Sequence, residues 1–184
     1  MRLFLAVPLE EPSRAALAAV QERLKAAEAD VRWVEPENFH LTVAFLGDQT
    51  NGLLPDIEGV TSQVAADAKA FRIRVGGVSF FPKRGPLKTL WVGLLDGADE
   101  WRTVTQAAEE AFAPFGVPPG NKLVPHITLG RVKSEQGMDR LRAALAADAG
   151  ADCGTQRADR LQLVQSFLNP AGAAYGTLGE WILK

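Results

Sequence analysis

The chain has 184 residues, 47% of them hydrophobic, enough to bury a core without covalent staples. Its formal charge of -2 excludes a protein that coats long nucleic acid by counterion release, a mode that needs a large basic excess, yet it leaves room for a short RNA end or a small phosphate ligand. No apolar run approaches the length of a membrane span, and the lone cysteine, Cys153, reads as a small buried side chain in a reducing, cytoplasmic setting.

In chain order, MRLFLAVPLEEP carries one arginine and a short apolar run ending in Pro8 and acids, so it reads as a first strand (Leu3 to Val7) and not as a signal peptide. Ser13 to Ala29 then places Leu17, Val20, Leu24 and Ala27 at helical spacing. Strands are expected at His40 to Leu46, Phe71 to Phe81, Thr89 to Leu94, Val124 to Val132, Arg160 to Leu168 and Tyr175 to Leu183. Helices are expected at Leu54 to Ala68, Asp99 to Ala113 and Met138 to Ala147. Turn signals fall between these elements, at Gly47-Asp48, Pro82 to Pro86, Phe115 to Asn121, and Asn169-Pro170 with Gly172.

An internal echo stands out: His40-Leu41-Thr42-Val43 in the first half and His126-Ile127-Thr128-Leu129 in the second. The elements around each copy are roughly similar, which suggests two lobes of like architecture. On a strand, His40 and Thr42 point one way and Leu41 and Val43 the other, with the same split in the second copy. The aliphatic face would pack on helices and leave an imidazole and a hydroxyl side by side on the wetter face. Ala44 and Gly130, the next residues on that face, are small and would leave open space beside each imidazole.

Histidine, with an unperturbed pKa of roughly 6.5, can serve as base in one copy and acid in the other near neutrality. Displacement at phosphorus needs both: one group takes a proton from the attacking hydroxyl or water, the other gives one to the leaving oxygen. The threonine hydroxyls can donate to the non-bridging oxygens. These are the only histidines in the chain, and both occupy the same position of the same pattern. A histidine metal site would need carboxylates or thiols within the motifs, and neither motif has any, so no metal and no cofactor is expected.

The ordered set RLFLAVPL, RWVEPENFHLTVAFLG, LWVGL, LVPHITLGRV and LVQSFLNPAGAAYGTLGEW, covering nearly the whole chain, resembles the two-histidine phosphoesterase superfamily, and within it the RNA 2′,3′-cyclic phosphodiesterases also called 2′-5′ RNA ligases. The resemblance implies an α+β fold with a single bilobal domain over residues 1–184. Two pseudo-symmetric lobes, each with a mainly antiparallel sheet and outer helices, would flank an active-site groove. It implies His40 as proton donor, His126 as proton acceptor, Thr42 and Thr128 as phosphate-binding residues, and an RNA 2′,3′-cyclic phosphate end or cyclic nucleotide as partner. It also implies hydrolysis to the 2′-phosphomonoester, with reversible 2′-5′ ligation as a related activity. A monomer off the membrane is expected. The alternatives are a relative acting on another cyclic nucleotide metabolite and a non-catalytic RNA-end binder on the same fold.

Arg131 resembles the family's basic residue after the second motif, but strict alternation puts it on the wrong face unless a bulge or strand end intervenes at Gly130. Phe45 has the same parity and reads as core. Lys83, Arg84, Lys88 and Lys122 could attract RNA phosphates, although solvated loop charges are the plainer reading. Trp33, Trp91, Phe80 and Tyr175 could stack on a base, with core packing as the default.

Overall fold

The computed structural model describes residues 1–117, 124–169 and 172–184, with 168–169 and 172–173 described by backbone alone. Lys122 and most of the turn segment before it, together with Pro170, lie outside the described residues. The elements run β1 (Arg2–Pro8), α1 (Glu11–Lys25), β2 (Val31–Trp33), β3 (His40–Asp48), α2 (Leu54–Asp67), β4 (Phe71–Phe81), β5 (Thr89–Asp96), α3 (Ala98–Phe112), β6 (Ile127–Val132), α4 (Met138–Ala147), β7 (Asp152–Ala158), β8 (Arg160–Asn169) and β9 (Gly172–Ile182).

The strands form two sheets, ordered β3-β1-β8-β9 and β2-β6-β5-β4-β7, with every recorded pairing antiparallel. Each half repeats one connection: a strand (β1 or β5), a helix (α1 or α3), then a motif strand (β3 or β6) that pairs back on the first. This is the mixed α+β architecture that the resemblance implies.

β1 is buried along Leu3 to Val7 because it is central and covered on both faces. Leu3, Leu5 and Val7 join the main core, whereas Phe4 and Ala6 pack on the other face with Val164 and Tyr175. α1 starts with Pro12 in its first turn and buries Leu17, Val20, Gln21 and Leu24. It ends four residues before the expected Ala29, since the chain turns through Glu28 at φ 50°. In α3, Trp101, Val104, Thr105, Ala108 and Phe112 make one buried stripe.

The helices cross between the halves. α1 packs against β7 of the second sheet, and α3 packs against β3 of the first, where the Trp101 indole N–H donates to the Thr42 carbonyl at 3.0 Å. One continuous core therefore includes residues from both sheets and all four helices.

Two strands escape the hydrophobic pattern. β2 is only three residues long, and β7, DCGTQRA, is a polar edge strand interrupted by Gly154 at φ 89°. The expected strand from Val124 begins at Ile127, leaving His126 just ahead of it.

Candidate active site

His40 opens β3 opposite Pro8, and its Nδ1 lies 2.7 Å from the Asn38 carbonyl oxygen. His126 repeats the arrangement, its Nδ1 2.9 Å from the Val124 carbonyl oxygen. A carbonyl can only accept, so each Nδ1 carries the proton and each Nε2 is left for chemistry, as lone pair in the neutral ring and as donor in the charged one.

Aromatic rings flank both imidazoles. Phe4 lies 4.7 Å from His40 and Tyr175 meets it edge-on at 5.3 Å; Phe81 meets His126 edge-on at 5.3 Å and Trp91 lies at 6.1 Å. Tyr175 is thus half-buried beside a histidine, while Trp91 is buried and stacked on Phe81. Trp33 and Phe80 pack against the main core, as the default reading had it.

Burial lowers the proton affinity of His40 below the ordinary histidine value; the Asn38 carbonyl opposes this, and the charge of His126 adds to the lowering. The two rings are therefore near enough to sense one another, consistent with direct contact between β3 and β6. The Tyr175 phenol is raised by burial and drawn back down by the charges of Arg131, from the other sheet, and Arg2.

Both motif strands are bulged at the same place. Between β1 and β3 the register steps from Leu5↔Ala44 to Ala6↔Thr42, leaving Val43 without an opposite residue. Between β5 and β6 it steps from Leu90↔Gly130 to Trp91↔Thr128, leaving Leu129 so. The extra residue resets the alternation. Val43 and Ala44 are both buried, and so are Leu129 and Gly130.

This corrects two expectations. Ala44 belongs to the core, and the space at Gly130 is filled: a Cβ there would lie 2.7 Å from Val31 Cγ1 and 3.0 Å from Trp33 Cε3. Phe45 is not core but 61% exposed, paired with Phe4 on the face that carries His40. By the same shift Arg131 is exposed and pairs with Thr89, two residues from Trp91, which puts it on the face of His126 and Thr128.

Thr42 and Thr128 are half-buried next to their histidines. Arg84 and Lys88 are exposed. Lys83 is less free than a solvated loop charge: it donates to the Ser79 hydroxyl and lies 4.7 Å over the Phe80 ring and 5.5 Å over the Trp91 ring. Among the described residues no group of three or more His, Cys, Asp or Glu side chains converges to hold a metal ion, and no helix is long and apolar enough to cross a membrane.

The paired antiparallel sheets and their helices are those of a LigT-like phosphoesterase, and the model of that family matches residues 7–91. The RNA 2′,3′-cyclic phosphodiesterase of Methanothermobacter thermautotrophicus is 33% identical over 175 residues, covering 95% of each chain. A Thermus thermophilus crystal structure superposes with TM-score 0.84 at 27% identity, covering 100% of this chain and 98% of that one. Escherichia coli LigT in its apo form shares the fold at TM-score 0.76 and 20% identity, covering 99% of this chain and 96% of that one. This chain belongs to the RNA 2′,3′-cyclic phosphodiesterase family.

Proposed function

We propose that the chain hydrolyses RNA or nucleoside 2′,3′-cyclic phosphates to the 2′-phosphomonoester, and that the groups just described carry the reaction. His126 Nε2 takes a proton from water, the water oxygen bonds to phosphorus, the bond from phosphorus to the 3′-oxygen breaks, and His40 Nε2 protonates that oxygen. Thr42 and Thr128 donate to the non-bridging oxygens, where charge builds in the transition state, and Arg131 supplies a fixed positive charge beside them. Reversible 2′-5′ ligation would use the same groups, with an RNA 5′-hydroxyl in place of water.

The observation that carries this reading is the matched pair of imidazoles, each pinned through Nδ1 to the carbonyl two residues before it. Such pinning frees two Nε2 atoms for opposite proton transfers, and nothing in the scheme requires a metal. The reading includes a monomer acting in the cytoplasm as one bilobal unit. The buried Cys153 thiol, pushed up to about 11 by burial, is suited to remain an unreactive thiol there.

The test is incubation with the four nucleoside 2′,3′-cyclic phosphates and an oligonucleotide bearing that end, with a chelator present, followed by product identification. The 2′-phosphomonoester should appear. Absence of turnover, a 3′-phosphate product, or activity lost to the chelator and restored by magnesium or manganese would overturn the reading.

A further inference from the structure

The bulges at Val43 and Leu129 disrupt the strand ladder beside each motif threonine, and a buried carbonyl there needs a donor from elsewhere. In both motifs a buried side chain on a helix supplies one. The Trp101 indole N–H, in the first turn of α3, donates at 3.0 Å to the Thr42 carbonyl, on the peptide that leads into Val43. The Gln21 amide, on α1, donates at 2.9 Å to the Leu129 carbonyl, on the peptide that leaves Leu129. Trp101 is 2% exposed and Gln21 1%.

Both bonds cross between the halves. α3 lies between β5 and β6 in the chain yet holds β3, while α1 lies between β1 and β3 yet holds β6. An indole has one N–H and no acceptor, so Trp101 gives its whole polar capacity to Thr42. Gln21 divides its two amide protons between Leu129 and the Val34 carbonyl, the latter at 2.7 Å, and the Val34 N–H donates to the same Leu129 oxygen at 2.9 Å. Two donors thus grip the peptide after Leu129. The atoms of a peptide unit turn together, so a held carbonyl fixes the dihedrals beside it. At Thr42 it sets ψ, on which the rotamer of a β-branched side chain depends. At Leu129 it sets the course of the strand immediately after Thr128.

We propose that Trp101 and Gln21 are positioning residues for the cyclic phosphate, each holding the bulge that aims the threonine of the opposite half: Trp101 through Thr42, Gln21 through Thr128. That role rests on the phosphodiesterase reading, in which the two hydroxyls hold the non-bridging oxygens. Each motif then depends on the other half's helix, and both hydroxyls are aimed only when the halves are docked.

Trp101→Phe removes the indole N–H and keeps a ring in the core; Gln21→Met removes the amide and keeps its length. With uridine 2′,3′-cyclic phosphate each should lower kcat/KM about tenfold, since a displacement of about 1 Å at a positioned group costs up to about a hundredfold. A general loosening of the core would do likewise, so the deciding readout is a pair of double-mutant cycles. Added to Thr42→Ala, Trp101→Phe should cost less than about twofold, and added to Thr128→Ala it should keep its full effect; Gln21→Met should show the reverse. Effects that multiply in both backgrounds, or no loss in either single variant, overturn the proposal. A cycle that couples for one residue alone assigns the role to that residue and withdraws it from the other. Should Gln21→Met fail to fold, Gln21→Asn, whose shorter amide cannot span both carbonyls, takes its place. If wild type leaves the cyclic phosphate closed, the phosphodiesterase reading fails instead, and positioning is read without substrate from three-bond couplings of labelled threonine methyls, which report χ1. Trp101→Phe should spread Thr42 over several rotamers and leave Thr128 in one, with the reverse for Gln21→Met. Unaltered couplings in both variants would sink the positioning itself.

Discussion

At the scale of the residue, the two histidines are alike in bonding and unlike in environment. Burial favours the neutral form of His40 in the empty protein, whereas the donor of the proposed reaction must start charged. A bound phosphodiester anion would reverse this by favouring the imidazolium. The sign follows: a donor with a lowered pKa loses activity on the alkaline side at low pH when free and at higher pH when substrate is bound. The alkaline limb of kcat/KM should therefore lie below that of kcat. An acidic limb displaced instead would make His40 the acceptor. A nitrophenyl phosphodiester, whose leaving group needs no proton, gives a second reading: His40→Ala should there keep a larger share of activity than His126→Ala. In the proposed reaction the threonines act through single hydrogen bonds to a charged group, each worth roughly 1.5 to 3 kcal/mol. Thr42→Ala and Thr128→Ala should each lower kcat/KM by about ten- to a hundredfold and leave measurable turnover. Full activity in either would show that the phosphate is held elsewhere.

The paired bulges matter most at the scale of the element. Without the extra residues at Val43 and Leu129, Phe45 and Arg131 would turn into the core and Ala44 and Gly130 would lie beside the histidines. Gly130 also sets how closely β2 approaches, because Val31 and Trp33 occupy the space of its absent side chain. Gly130→Ala should push β2 outward, cost about 1 to 3 kcal/mol in urea unfolding through overpacking, and move Arg32 away from Arg131. An unchanged unfolding midpoint would show that β2 yields freely.

For the whole molecule, the crossed helices tie the two sheets together, and buried amides sew the seam. Gln21 Nε2 donates to the Val34 and Leu129 carbonyls at 2.7 and 2.9 Å. Gln156 Nε2 donates to the carbonyl of Pro8, the residue that pairs with His40, and its Oε1 accepts from the Glu10 N–H, both at 3.0 Å. Gln156→Leu should strand these backbone groups, costing about 1 to 3 kcal/mol, and lower activity more than its distance from the chemistry suggests. Thermal unfolding followed by near- and far-ultraviolet circular dichroism should give one coincident transition, since one main core joins both sheets and all four helices. Two separated transitions would show that the lobes fold independently.

The sequence by itself determined what local pattern and residue chemistry can carry. Helical spacing located α1 through α4, alternating or continuous apolar runs located most strands, and the repeated His-x-Thr picked out four side chains on or next to two strands, one from each sheet, that touch each other. The tertiary structure decided what depends on a partner strand. β2 and β7 have too little hydrophobic pattern to announce themselves and exist because β6 and β4 offer them backbone hydrogen bonds. The exposure of Phe45 and Arg131 follows from register against β1 and β5, and the facing of Arg32 and Arg131 joins residues about a hundred positions apart. Periodicity reports which side of a strand is apolar, but a bulge is a mismatch between two strands, and no single strand's sequence contains its partner.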